Sequence, residues 1–288
     1  MSGDSVRIDT PPKRLLKLIV ALLFLPVLEV WRLGHKLAAK PMPSIAVVIY
    51  YHQVPVSERA RFGSQMDMLL RWAVPMRADD PGPLSPGSRC AIVTFDDAWQ
   101  SFKEVAFPEL ERRHIPVTLF AISGKLGQIL EADCTERLMN EDELRSVADL
   151  VTIGSHTDSH ARLPGLDLEY ARSELRQSRE KLSRLTNQEV NLFCFPYGAA
   201  DSESIRLCRE QGYARVFTGV PEIILRWPNQ FTFGRVRVDP SDWSAEFFLK
   251  IRGAYFWMSS AIRIKTQVRE VLRNTLAVRR SMPRDETV

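Results

Sequence analysis

Two adjacent carboxylates, Asp96 and Asp97, follow directly on the apolar run Ala91-Ile92-Val93-Thr94-Phe95. Such a run reads as a buried strand, and adjacent residues at its end face opposite sides. On its own an Asp-Asp pair in a loop is most simply a solvated pair. Partners change that reading. Beyond a second strand-like run, Val151-Thr152-Ile153, stands Gly154-Ser155-His156-Thr157-Asp158-Ser159-His160. Two histidines four apart, on one helical turn or in a tight loop, can present their rings to a single point. One carboxylate of the pair would complete a three-ligand set and leave a fourth position for water, the layout of a catalytic rather than a structural zinc.

The elements that must position these groups are legible as an alternation. Ile45–Tyr51, the run into Asp96, Val117–Ala121, the run into His156, Asn191–Phe195, Ala214–Thr218 and Phe231–Val238 read as strands. Helices are expected around Phe62–Trp72, near Phe102–Arg113, at Glu141, over Leu168–Leu185 and over Ser202–Gln211, the last closed by Gly212. In the long one, Leu168, Ala171, Leu175, Leu182 and Leu185 form an apolar stripe and the polar stripe is expected to be solvated. Strands that are nearly all apolar, alternating with helices, predict a parallel sheet covered by helices, and a barrel of that kind carries its chemistry at the C-terminal strand ends. His52, Asp96-Asp97, His156, Tyr197 and Asp239 all stand just after strand-like runs.

Hydrophobic content of 45% and charged content of 26% suit a globular enzyme and exclude disordered and fibrous classes. The net charge of +4 hides an asymmetry: residues 1–40 and 250–288 are both basic and the body between them is acidic. A nucleic-acid partner would call for a basic stripe on the folded body, so an anionic membrane surface is the better expectation. Leu18–Leu28 is apolar but shorter than the roughly 20 residues that span a bilayer. With Lys17, Trp31, Arg32 and Lys36 beside it, the segment reads as a helix in the membrane interface, against a helix packed on the domain or a cleaved signal. From Tyr255 onward a basic amphipathic helix is expected. It either packs on its own domain or adds a second membrane contact. Cys90, Cys134, Cys194 and Cys208 have no paired short spacing, which points to buried thiols and the reducing, cytoplasmic face of the inner membrane. The expected division is a membrane-associating segment at 1–40, a catalytic domain at 41–252 and a basic helix and tail at 253–288.

In their order and spacing, Thr94-Phe95-Asp96-Asp97, His156-Thr157 with His160, and Phe195-Pro196-Tyr197-Gly198 resemble the NodB-homology polysaccharide deacetylases, carbohydrate esterase family 4. The resemblance covers roughly residues 44–252 and implies a deformed (β/α) barrel with flanking N- and C-terminal helices. It implies one divalent metal, zinc first, held by Asp97, His156 and His160, with Asp96 as general base. A carboxylate bound to the metal cannot freely accept a proton, so the base must be its unligated neighbour. A backbone N–H near Tyr197 would help to stabilise the oxyanion.

The chain departs from the family pattern at three places. Ala98 stands where the first motif usually has Gly, and a positive φ there would strain it. Cys194 takes the place of an Arg that orients the base, and Arg235 or Arg237 is a possible substitute. No histidine follows His160, where many members draw their catalytic acid. His52, in Tyr50-Tyr51-His52, resembles the acid of permuted members whose acid-bearing strand comes first. Asp239 and Asp242 fall where the family often tunes that histidine, with a helix N-cap at Asp242 or Ser241 as the plainer role. The expected reaction is hydrolytic removal of N-acetyl groups from amino sugars of a polysaccharide or lipid-linked glycan. An O-acetyl esterase, a deformylase of a lipid-linked sugar and a non-catalytic carbohydrate-binding relative are the rivals.

Overall fold

The structure is a computed structural model, and it describes residues 10–80, 82–130, 136–225, 227 and 229–262. A long helix, α1 (Pro11–Leu37), precedes the first strand, β1 (Ile45–Tyr51). There follow α2 (Arg59–Trp72), the short β2 (Val74–Pro75), β3 (Arg89–Phe95), α3 (Phe107–Glu111) and β4 (Val117–Ala121). Then come α4 (Glu141–Ala148), β5 (Thr152–Ser155), α5 (Leu168–Thr186), β6 (Leu192–Cys194), α6 (Ser202–Glu210), β7 (Arg215–Thr218), β8 (Thr232–Arg237) and α7 (Ser244–Ile251). Seven of the strands close into a parallel barrel in the order β1-β8-β7-β6-β5-β4-β3, with β3 returning to β1 and β2 appended to the start of β3. This is the expected deformed (β/α) barrel with flanking helices.

Period-two alternation sorts the strand side chains into two cores. Ala46, Val48, Ile92, Phe120, Cys194, Phe217 and Phe233 fill the lumen. Val47, Ile49, Ala91, Val93 and Leu119 pack outward beneath the helices, with Phe62 and Met66 of α2 and Leu144 of α4. The same alternation continues toward the C-terminal strand ends, where Tyr50, Thr94, Asp96 and Arg235 take the lumen positions. Hydrophobic filling therefore gives way to the site's polar groups at the C-terminal end of the barrel.

Two local features differ from the sequence expectation. The helix near Phe102–Arg113 opens with a wide π-type turn over Phe102–Ala106 before α3. Pro108 has no N–H to donate back to Glu104, and widening the preceding turn accommodates the missing bond. On α5, Ala171, Leu175 and Leu182 are buried as expected, together with the polar Glu174 and Ser178, which fall on the same side of the helix.

α1 packs on the domain through one face, burying Ala21, Leu28 and Arg32. Arg14 pairs with Glu246 at 2.6 Å, and Glu29 accepts from Arg252 at 2.7 Å and from Arg89. The expected C-terminal helix is present over residues 257–262, and its continuation lies outside the described residues, as does Cys134. Cys90, Cys194 and Cys208 are buried free thiols.

Candidate active site

The polar end of the barrel opens into a cavity of about 650 Å³, lined by His52, Asp96, Asp97, His156, His160 and Tyr197. β3 delivers the two aspartates, β5 the histidine loop, β6 the Tyr197 turn and β1 His52, so four different strand ends converge on one space. The chain turns sharply to do this. Asp97 and Ala98 have φ of 70° and 68°, so the backbone takes the left-handed form at Ala98 despite the Cβ, at a cost of order 1 kcal/mol. The residues from His156 to His160 form a loop, with Thr157 and His160 also at positive φ, 64° and 67°.

Asp97 Oδ1 lies 3.5 Å from His156 Nε2 and 3.5 Å from His160 Nε2. Oδ1 is buried and has no hydrogen-bond partner, while Oδ2 accepts from the Trp99 indole N–H at 3.0 Å. Burial pushes His156 down to about 3, so its ring is neutral. Its Nδ1 lies 2.8 Å from the Cys194 carbonyl, and donation there leaves the Nε2 lone pair aimed at Asp97. The 3.5 Å separations are longer than hydrogen bonds, and with His156 neutral the first is no ion pair. They match the edge of a tetrahedron, about 3.4 Å, around a cation with ligand bonds of about 2.0–2.1 Å. Burial, aided by the neighbouring Asp96 charge, pushes the Asp97 carboxyl up to about 6 against the opposing pull of His52 and Trp99. A carboxylate, two imidazoles and an orphaned oxygen between them fit a divalent cation such as zinc.

Asp96 is held quite differently. Both its oxygens accept from Arg235, Nη1 to Oδ1 and Nη2 to Oδ2, each at 2.7 Å. Burial alone would raise the Asp96 carboxyl, but the Arg235 charge and hydrogen bonds outweigh it and hold Asp96 well below the usual carboxylate range. Arg235 sits on β8, buried against Tyr50, 4.3 Å from its ring centroid, and also donates to Thr94 Oγ1 at 3.2 Å. Of the two arginines expected near Asp96, Arg235 and not Arg237 contacts it; Arg237 lines the cavity one step nearer the mouth. Cys194 lies 2.8 Å from Arg235 Nη2. Asp96, His156 and Cys194 also sit close enough together to suggest a second metal set. With both Asp96 oxygens committed to Arg235 and the thiol pushed well up by burial, that grouping is a poor ligand set.

Two further residues hold the site and were not singled out from sequence. Trp99 fixes Asp97 Oδ2 and leaves Oδ1 without a hydrogen bond; its ring packs with Ile122 and Leu138. Glu174 accepts the N–H groups of Asp158 and Ser159 at 3.0 and 2.9 Å and the Ser159 hydroxyl at 2.8 Å, which ties the histidine loop to α5. Trp99 directly follows the aspartate motif, which was a usable signal; Glu174 carried none beyond its place on a helix face.

His52 lines the cavity beside Tyr50, ring centroids 5.6 Å apart. Asp239 accepts from the Ser241 N–H at 2.9 Å, and Asp242 from Lys250 at 2.6 Å. No hydrogen bond joins either aspartate to His52 among the described residues. The N-cap of α7 is Trp243 without a side-chain bond, so the expectation of a cap from Asp242 or Ser241 is corrected: these side chains are committed to the Asp239–Lys250 network. Tyr197, at φ 60° and 55% exposed, lies over His160 with ring centroids 4.7 Å apart. Its turn requires Gly198, where a Cβ would sit 2.5 Å from the Cα of Gly219.

A sequence profile described as polysaccharide deacetylase matches residues 84–216. YxkH of Bacillus subtilis, named as a polysaccharide deacetylase, is 26% identical over 156 residues, covering 54% of this chain and 53% of that protein. The poly-beta-1,6-N-acetyl-D-glucosamine N-deacetylase of Staphylococcus epidermidis is 26% identical over 140 residues, 45% of this chain and 48% of that one. The chain therefore spans about half the length of the curated relatives it matches. Among solved structures, IcaB from Ammonifex degensii superposes with a TM-score of 0.63 at 24% identity, over 74% of this chain and 97% of that one, a likeness of fold. The matched segment holds Asp96, Asp97, His156, His160 and Tyr197, whereas His52 and Arg235 lie outside it. Barrel and motif geometry agree with the sequence match: residues 84–216 belong to a polysaccharide deacetylase (NodB-homology) domain.

Proposed function

We propose that this chain is a metal-dependent hydrolase that removes N-acetyl groups from amino sugars of a glycan. The observation that carries the reading is Asp97 Oδ1, buried, without a hydrogen-bond partner and 3.5 Å from two imidazole nitrogens. Asp97, His156 and His160 hold the cation; when bound it polarises the acyl carbonyl and eases deprotonation of the attacking water. Asp96 takes that proton. Its bidentate pairing with Arg235 keeps it ionised and fixes its direction, at the expense of basicity. His52 faces the same cavity from β1, and in the permuted arrangement it donates the proton to the leaving amine. The Tyr197 turn lines the same cavity, and a backbone N–H near Tyr197 serves as oxyanion donor. A binding-only role would need neither an ionised, arginine-locked carboxylate nor an orphaned ligand oxygen.

The name of the staphylococcal relative specifies poly-beta-1,6-N-acetyl-D-glucosamine, so β-1,6-linked N-acetylglucosamine oligomers are the first substrate to test. Acetate release by the zinc-loaded chain is the readout. Asp96→Asn should keep the metal and lose at least about 100-fold in turnover. Undiminished turnover in that variant removes Asp96 from the role of base, and no acetate from any N-acetylated amino sugar removes the activity itself.

A further inference from the structure

α1 has two opposed faces. With successive residues about 100° apart, Leu16, Ile19, Leu23, Val27, Val30 and Leu37 fall within an arc of about 80°. All six are exposed, from 47% at Ile19 to 81% at Leu37. Buried Ala21, Leu28 and Arg32 lie on the diametrically opposite side. The inner face is locked by Arg14 on Glu246, by Glu29 on Arg89 and Arg252, and by Arg32 donating to the carbonyls of Pro43 and Gly87. The helix cannot roll to hide its stripe without breaking these bonds, and a continuous stripe is more than scattered surface hydrophobes.

Charge identifies what covers it. The only acid on α1, Glu29, is already committed to two arginines, whereas Lys13, Lys17, Lys36 and, just beyond the helix, Lys40 stand near its two ends. A second copy packed along the stripe would set lysine against lysine with no acid to pair. An anionic bilayer supplies counter-charge at both ends and an apolar layer between them. Residues 263–288 add seven Lys/Arg against three Asp/Glu in sequence.

We propose that α1 lies in the interface of an anionic bilayer with the Leu16–Leu37 stripe inserted. It does not span: no described helix is long and apolar enough to cross a membrane. The docking also orients the barrel. Arg14 and Lys17 line a second cleft of about 260 Å³ that shares Tyr50, Arg237, Asp239 and Ser241 with the catalytic cavity. Arg32, about 27 Å further along the helix, bonds Pro43 and Gly87, just before β1 and β3 begin. α1 therefore runs antiparallel to the strands, from mouth to base, along the barrel's flank. Laid in the interface, it sets the barrel axis along the membrane plane and opens the catalytic mouth at the membrane surface.

The test is flotation of the full chain with vesicles of phosphatidylcholine and phosphatidylglycerol at 3:1, beside pure phosphatidylcholine. A variant carrying Leu23→Glu, Val27→Glu and Val30→Glu is run in parallel, with its melting temperature as the check on folding. The wild type should float with the anionic vesicles and the variant should lose at least tenfold in bound fraction at an unchanged melting temperature. The proposal is overturned if the wild type stays with the soluble fraction, or if the variant floats equally well. It is also overturned if the substitutions only abolish a dimer seen by sedimentation without vesicle binding. Flotation needs no turnover, so its outcome stands apart from that of the acetate assay.

Discussion

In the metal-free chain the Asp97 carboxyl is raised from its ordinary value of 3.8 to about 6. The folded state therefore binds this proton more tightly than the unfolded state does. The Asp97 contribution to the stability of the stripped protein must fall as pH rises from about 4 to about 6 and then level off, because over that window the folded carboxyl holds a proton that the unfolded chain has already released. At about 1.4 kcal/mol per pH unit the loss is about 3 kcal/mol. At about 2–4 °C per kcal/mol it amounts to about 6–12 °C in melting temperature. Asp97→Asn removes the titrating group, and zinc at saturation supplies the missing positive charge, so either should abolish the loss. The assay is thermal unfolding of chelator-stripped wild type and Asp97→Asn across pH 4 to 7, read as the difference between the two. Glu109 and Glu143, each lowered to about 2 by arginine partners, and His156, lowered to about 3 by burial, contribute in both proteins and are removed by taking the difference. A difference that stays flat through the window would show that burial does not set the Asp97 charge and would refute the reasoning.

Two more substitutions probe the supports of the site. Trp99→Phe deletes the 3.0 Å hydrogen bond to Asp97 Oδ2 while keeping an aromatic ring against Ile122 and Leu138; zinc affinity, measured by competition with a chelating dye, should fall about 10- to 100-fold, and unchanged affinity would remove Trp99 from the positioning role. Arg235→Met leaves Asp96 buried without its counter-charge and should destabilise the fold by about 3–5 kcal/mol at pH 7, read from the denaturant midpoint. In the wild type the lowered Asp96 value gives stability that is present above about pH 4 and lost as pH falls further. In the Met variant that acid-side loss should disappear, and a wild-type midpoint would contradict the pairing.

What was legible in the sequence follows from local pattern, and what was not follows from distance along the chain. Apolar runs ending in Asp96, His156 and Tyr197 located three strand ends, because burial on both faces writes itself into consecutive residues. Strand alternation puts Arg235 at the parity of Phe233, but the sequence left a surface role for it equally open. It could not separate Arg235 from Arg237, which has the same parity one step further out. Only the depth of the strand in the barrel decides that Arg235 reaches Asp96. Glu174 was lost for a different reason. On a helix with several charged neighbours, nothing local distinguishes a solvated carboxylate from one that caps a loop 15 residues earlier. α1 was read as membrane helix or packed helix, and it combines a packed face with an exposed apolar one. The pairings that fix the packed face, Arg14 with Glu246 and Glu29 with Arg252, join residues more than two hundred apart in sequence and leave no local trace.

The claim on which the rest stands is that Asp97, His156 and His160 together hold one cation. It is tested most directly by titrating zinc onto the chelator-stripped chain and counting bound metal per chain, beside a variant with His156→Ala and His160→Ala. One equivalent on the wild type and none on the variant is the expected result. A wild type that takes up no zinc, or a variant that still binds a full equivalent, would contradict it.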